Sequence, residues 1–184
     1  MELVTRRTRL RFLAASDVDS LVALDADPLV MRFISGGASI PKAVYVDEIL
    51  PRLLGYPLVH PGMGFFAIES RADGASPADG DFLGWAHLRP DHLQPAWAEV
   101  GYRLRRQHWG QGIAPEVTQA LLAHAFETLG CATVSARTHR DNVASRRVME
   151  KSGLELAGAF EYPGTTVGTV EFPPAPCVLY LRHR

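Results

Sequence analysis

The sequence predicts a mixed α+β domain, a sheet with helices on its faces and hairpins at its middle. Three observations carry this. Seven short runs space their apolar residues as strands do. Four segments place them on one face of a helix. No internal repeat or linker divides the 184 residues, so residues 1–184 are expected to form one domain with a real core.

The elements follow in order. Residues 7–13 set Leu10 and Phe12 against Arg9 and Arg11, as a half-buried strand does. Ser16 reads as a helix cap, with Val18, Leu21 and Val22 at helical spacing until Asp27-Pro28 breaks the helix. A second amphipathic helix starts near Pro41, carries Val46, Ile49, Leu50, Leu53 and Leu54 on one face, and ends at Gly55-Tyr56-Pro57 and Pro61-Gly62. Strands are expected at 65–69, 82–88 and 97–104. Residues 71–81, between the first two, are polar and turn-rich and are expected to form a mobile loop. A long helix from about Pro115 to Leu129, closed by Gly130, buries Val117, Leu121, Ala125 and Phe126. Residues 133–138 read as a strand, and 142–151 as a helix stopped at Ser152-Gly153. Strands are expected again at 154–162 and 177–182. The stretch 163–176 holds too many prolines for a central strand and reads as a loop or irregular edge.

Composition narrows the function. A net charge of −1 gives no broad attraction to nucleic acid or to an anionic membrane. Arg103, Arg105 and Arg106 form a local basic cluster in the sequence that can hold a small anion. Cys131 and Cys177 form no Cys-x-x-Cys pair and read as small buried hydrophobes. The seven histidines contain no His-Glu-x-x-His, so no metal is expected. Thr5-Arg6-Arg7 superficially resembles a twin-arginine export signal, but Ser16-Asp17-Val18-Asp19 stands where an apolar run would be needed. No segment reaches the ~18 apolar residues of a membrane span. A cytoplasmic protein, monomer or homodimer, is expected.

The most informative run begins at Glu99-Val-Gly-Tyr102 and continues to Val117. A strand leads into a turn containing Gln107, Gly110 and Gly112, and a helix opens near Pro115, a residue pre-shaped for a first helical turn. Backbone N–H groups converging at a helix N-terminus make an anion site, suited to a phosphate or pyrophosphate. The Walker A pattern is absent, and Pro115 stands where a dinucleotide fingerprint needs its third glycine. An ordinary tight turn is the alternative. A second block follows some forty residues later, with Asn142, Ser145, Glu150, Lys151 and Gly153.

Together the two blocks resemble the GCN5-related N-acetyltransferases, in the branch of the ribosomal-protein N-terminal acetyltransferases. Gln107 to Gly112 match that family's Gln/Arg-x-x-Gly-x-Gly/Ala turn. Glu99 to Tyr102 match the branch's Glu-x-Gly-Tyr strand, and the second block matches Asn-x-x-Ser followed by Glu-Lys-x-Gly. Residues 8–13 and 27–34 are similar to the same branch. The resemblance implies a central, mostly antiparallel, twisted sheet of about seven strands flanked by helices. It also implies acetyl-CoA as co-substrate, a primary amine as acceptor, and no metal.

It further implies roles. Tyr102, Arg103 and Leu104 would lie along the pantetheine arm, with outward backbone N–H groups polarising the thioester carbonyl as an oxyanion hole does. Gln107, Gly110, Gln111, Gly112, Ile113 and Ala114 would hold the pyrophosphate. Trp109 either contacts the cofactor or packs, and packing is the commoner use of a large aromatic. Asn142 caps a helix, touches the pantetheine, or does both. Ser145, one turn on, either protonates the leaving thiolate (directly or through water) or is a plain helix-surface serine. Glu99 is the base for the amine, an anchor for its ammonium, or a surface carboxylate. His87, His92 and His139 are within possible reach of the cleft but are not favoured. Arg146 and Arg147 reach the adenosine phosphate or simply face solvent. The 163–176 stretch is expected beside the active site. The acceptor is expected to be a protein N-terminal α-amine, with small-molecule acetylation and a non-catalytic acyl-CoA-binding module as rivals.

Overall fold

The computed structural model describes residues 1–71 and 80–184. Its main sheet is made of β1 (Glu2–Val4), β2 (Thr8–Phe12), β3 (Gly64–Ser70), β4 (Phe82–Pro90), β5 (Ala98–Leu104), β6 (Thr133–His139), β7 (Glu155–Tyr162) and, after the hairpin β8 (Thr165–Val167) and β9 (Val170–Phe172), β10 (Ala175–His183). The lateral order is β1-β2-β3-β4-β5-β6-β10-β7. Every pair in it is antiparallel except β5 with β6. This is the mostly antiparallel α+β sheet that was expected. The added edge strand, β1, is too short to carry a periodic signal.

Helices cover both faces. On one face α5 (Ile113–Ala123) buries Val117, Leu121 and Leu122, and its continuation, the wide turn His124–Thr128, buries Ala125 and Phe126. They pack with Ala98, Val100 and Leu104 of β5 and with Met149 of α6 (Val143–Lys151). On the other face lie α1 (Val18–Asp25), α2 (Pro28–Met31) and one long helical stretch. That stretch comprises α3 (Lys42–Val44), a wide turn Tyr45–Ile49, and α4 (Leu50–Val59). Leu13, Leu21, Met31, Ile40, Val44, Tyr45 and Leu50 form the core there. Strand alternation therefore gives β5 two faces: Ala98, Val100, Tyr102 and Leu104 look toward α5, and Glu99, Gly101 and Arg103 toward α1.

Several local expectations are revised. Ser16 is exposed and caps nothing; the Asp17 carboxylate accepts from the Ala14 N–H at 2.8 Å and from Arg11, closing the turn before α1. Asp27-Pro28 does end α1, but it also starts α2, because the Asp27 side chain accepts from the Leu29 N–H at 2.9 Å and Pro28 fits a first helical turn. The second helix runs through Gly55 and Pro57 to Val59; Pro57 sits in its last turn, where few later bonds depend on it. The stretch 163–176 is not a plain loop. It holds the β8–β9 hairpin, whose Val170 is buried in the α1-side core, and it opens β10 with Pro176 inside the strand. Pro176 is tolerated because it faces Glu161 of β7 on one side, while the pairing with β6 begins only at Cys177. Of the polar loop expected at 71–81, residues 72–79 lie outside the described residues. Among the described residues no helix is long and apolar enough to cross a membrane.

Candidate active site

The site begins where the sheet comes apart. β5 and β6 pair only at Ala98↔Val134 and Glu99↔Ser135. From Val100 to Leu104 the edge of β5 facing β6 has no strand partner, although its other edge is fully paired with β4. Alternate N–H groups on that open edge are free for a ligand.

The chain leaving β5 supplies an anion cradle. Gly110 and Gly112 take φ of 72° and 77°, left-handed values that suit glycine. Gly112 is the N-cap of α5, one residue before Ile113. Among the described residues, the backbone N–H groups of residues 110–114 donate to no protein acceptor, and Pro115 has none to donate. Five unpaired donors at the positive end of a helix are an arrangement that suits a phosphate. The surrounding side chains fix the turn: Gln111 Nε2 donates to the Gln107 carbonyl at 2.8 Å, and the Trp109 indole N–H donates to the Leu104 carbonyl at 2.9 Å. Trp109 is thus anchored by its nitrogen while remaining 46% exposed.

A latch absent from the sequence reading holds this helix start. Glu116 accepts from the Thr5 hydroxyl at 2.6 Å, the Arg7 N–H at 2.8 Å and Arg7 Nε at 2.8 Å. Arg7 also donates to the Gln111 carbonyl at 2.7 Å. Partial burial works against the Glu116 charge, yet the bonds from Thr5 and Arg7 hold its carboxyl below the usual range. A negative charge one turn inside the cradle is in this way neutralised from the far end of the sheet.

The second block meets β5 across the gap. Asn142 caps α6, its side chain accepting from the Ser145 N–H at 3.2 Å. Ser145 Oγ lies 3.1 Å from the Tyr102 hydroxyl, which also reaches the Ser145 carbonyl at 3.3 Å. Burial pushes the Tyr102 phenol far up, outweighing the hydrogen bond it shares with Ser145, so it stays protonated. Sequence reasoning placed Tyr102 along the cofactor and did not pair it with Ser145.

Glu99 lies on the other face of β5, in an ionic frame. Its Oε2 is 2.7 Å from Arg89 and 3.4 Å from His92 Nδ1; its Oε1 is 3.4 Å from Arg137. Arg137 also donates to Asp91 at 2.6 Å, and Asp91 accepts from Ser135 and from the Leu93 and Gln94 N–H groups. Burial opposes the Asp91 charge, but these donors keep its carboxyl below the ordinary range. Asp91, His92 and Glu99 offer ligand atoms within 4.8 Å of one another; both carboxylates are already engaged by guanidinium groups, so the cluster is explained without a cation.

His87, beside this frame on β4, lies flat over Gly101: a Cβ added to Gly101 would come within 2.5 Å of its Cε1. That is why the Glu-x-Gly-Tyr strand needs glycine there. Both His87 nitrogens are buried without a partner. Burial, then Arg89 and Arg103, hold the imidazole well below its usual pKa, hence neutral. His139 is apart from it, packed against Phe33 with ring centroids 5.0 Å apart.

The expected residues therefore divide. Tyr102, Asn142 and Ser145 meet across the gap; Gln107, Gly110, Gln111, Gly112, Ile113 and Ala114 form the cradle; Leu104 and Trp109 brace it. Arg103 turns the other way, its Nη1 2.5 Å from Asp25 of α1, which also accepts from the Tyr45 hydroxyl. By the β4–β5 register the Arg103 backbone N–H and C=O also turn away from the gap, toward Trp85 of β4. The basic cluster disperses too: Arg105 lies over Phe82 and Arg106 pairs with Asp27 at 3.0 Å. Arg146 is committed to Tyr180 at 3.1 Å. The partners of Glu99 left only a faint signal, Arg89 lying opposite it in the β4–β5 register.

Comparison with known proteins gives the family. The model of the acetyltransferase (GNAT) domain matches residues 7–155. The chain is 30% identical over 183 residues to the FsC–acetyl coenzyme A–N(2)-transacetylase of Aspergillus fumigatus, covering 92% of this chain and 74% of that one. It is 31% identical over 159 residues to the uncharacterized protein YkkB of Bacillus subtilis, covering 85% and 86%. Its fold is that of a GNAT-family acetyltransferase from Bacillus anthracis (TM-score 0.75, 17% identity, covering 100% and 98%). It is also that of RimL, a ribosomal L7/L12 α-N-protein acetyltransferase solved with coenzyme A (TM-score 0.74, 17% identity, covering 100% and 98%). The chain belongs to the GNAT family of acetyltransferases.

Proposed function

We propose that this acetyltransferase passes the acetyl group of acetyl-CoA directly to a primary amine, an α-amino group at a protein N-terminus. The observation that carries the reading is the adjacency of two vacant donor sets: the N–H nest at 110–114 and the open edge of β5 from Val100 to Leu104. Their order suits a pyrophosphate followed by a pantetheine arm. Acetyl-CoA brings an activated acetyl thioester. The chain's part is to hold and polarise it, and one well-placed donor to such a carbonyl is worth ~3 kcal/mol. Ser145 supplies a hydroxyl on the leaving-group side. Glu99, on the opposite face of β5, takes the amine's proton through water. No covalent acyl-enzyme is proposed, because burial pushes both cysteine thiols, Cys131 and Cys177, upward and away from a reactive thiolate.

The α-amine is favoured on chemical grounds. Its pKa of about 8, against about 10.4 for lysine, makes the neutral form ~3 kcal/mol cheaper near neutral pH, within reach of a modest base. The likeness to RimL supports a protein N-terminus. The second reading, a small-molecule amine, is supported by the printed name of the Aspergillus relative, whose acceptor is an N(2) nitrogen. Thiol release from acetyl-CoA, screened with N-terminal peptides beside small amines, tests both. Faster release with peptides supports the first reading, and release only with small amines the second. Tight CoA binding with no release by any amine would leave a binding module.

A further inference from the structure

We propose that Tyr102 is a positioning residue that turns the Ser145 hydroxyl into the gap, so that Ser145 presents its proton to the leaving sulfur. This rests on the proposed function above. Three observations carry it. Tyr102 lies on the part of β5 that has no β6 partner, and Ser145 on the first turn of α6, so their 3.1 Å contact spans the gap itself. The Tyr102 ring packs against the α5-side core, which fixes where its hydroxyl sits. The Ser145 N–H is already given to Asn142, so the turn carrying the serine is fixed as well.

We take the phenol as the donor. A phenol carries one hydrogen and is a better donor than an alcohol. Donated to Ser145 Oγ, at 3.1 Å and shorter than the 3.3 Å to the Ser145 carbonyl, it occupies one serine lone pair. The serine's own hydrogen then has no acceptor on Tyr102 and is free to point elsewhere. The reverse arrangement would spend the Ser145 hydrogen on Tyr102 and leave the gap facing lone pairs, which repel a departing thiolate. The phenol remains protonated and passes on no proton; its part is orientation.

The test uses CoA itself as probe. The thiol of CoA bound to the whole protein is titrated by the ultraviolet absorbance of its thiolate. A hydroxyl hydrogen bond to the thiolate lowers the thiol pKa by about one unit, the size of one hydrogen bond to a charged group. Ser145→Ala is expected to remove that lowering, and Tyr102→Phe about half of it, with CoA affinity within twofold and melting close to the parent. In the Ser145→Ala background, Tyr102→Phe is expected to add nothing. Under those conditions kcat with a working acceptor falls about tenfold in Ser145→Ala and about threefold in Tyr102→Phe, while the KM for acetyl-CoA holds. An unchanged thiol pKa in folded, CoA-binding Tyr102→Phe overturns the inference alone, as does an effect additive with Ser145→Ala. Parent protein that does not bind CoA overturns the proposed function and the inference with it.

Discussion

Replacing Glu99 by Gln separates a base from a structural anion, because the frame around it makes the two consequences different in kind. The side chain is 8% exposed, and its partners Arg89 and Arg137 are 24% and 10% exposed. Removing one member of a buried ion pair costs about 3–5 kcal/mol, because the other charge is left buried. Arg137 keeps Asp91. Arg89 loses its ion partner, but being a quarter exposed it can turn partly toward water, which lowers the cost below that range, to about 2–3 kcal/mol. For a domain of this size each kcal/mol moves the melting point by about 2–4 °C, giving a fall of about 4–12 °C. Adding Arg89→Met removes the stranded cation and is expected to return most of the lost stability. It does not return turnover if Glu99 takes the amine's proton. The assays are thermal melts and thiol release at saturating acetyl-CoA from pH 6 to 9, about the range in which an α-amine titrates. A melting point within 1–2 °C of the parent's in Glu99→Gln, well short of the ~4 °C expected, would refute the ionic frame. Recovery of turnover together with stability in the double variant would remove Glu99 from the chemistry.

Three further outcomes are expected. Gly112→Val adds a branched side chain at φ 77° and brings its Cβ within 3.4 Å of Arg7; calorimetry should show CoA binding abolished in folded protein, and parent-like affinity would sink the phosphate-cradle assignment. Arg7→Ala leaves the Glu116 charge beside the cradle without its cation, so the KM for acetyl-CoA should rise about three- to tenfold with kcat nearly unchanged; Arg7→Ala/Glu116→Gln should recover most of it, and a kcat-only defect would contradict the latch. His87 has its folded-state pKa depressed by burial. The unfolded state therefore binds the proton first as pH falls below about 6.5, and the stability that neutral His87 contributes above that pH is lost on acidification. His87→Phe keeps a ring over Gly101 and drops two unpaired nitrogens, so its denaturation midpoint should exceed the parent's by more at pH 5 than at pH 8. An equal difference at both pH values would place the pH dependence elsewhere.

Much of this was legible along the chain because it depends on local rules. Hydrophobic spacing marked seven of the eight main-sheet strands, α5 and α6, since burial of one face is written into neighbouring residues. The glycine turn and the helix start were readable because glycines at 110 and 112 and a helix start at 113 act within a few residues of backbone. The cap at Asn142 was readable for the same reason. Where local signals compete with packing they misled: Gly55 and Pro57 did not stop α4, because Pro57 falls in the last turn and forfeits only its own N–H bond, and Pro176 did not keep β10 out of the sheet, because pairing with β6 begins only after it.

What only the tertiary structure decided is every relation made across strands. Arg103 looked like part of a basic cluster, but alternation on β5 sends it to Asp25, far back in the chain. Glu99 read as a base, an ammonium anchor or a surface carboxylate, and only the β4–β5 and β5–β6 registers buried it and set Arg89 and Arg137 against it. Glu116 and Arg7, separated by more than a hundred residues, meet only because β2 and the start of α5 end at the same edge of the domain. The meeting of Tyr102 with Ser145 depends on two strands separating after Glu99. Sequence spacing fixes which face a residue takes within its own element; which charge or hydroxyl waits on that face is set by the order and register of strands, a non-local property that no single segment encodes.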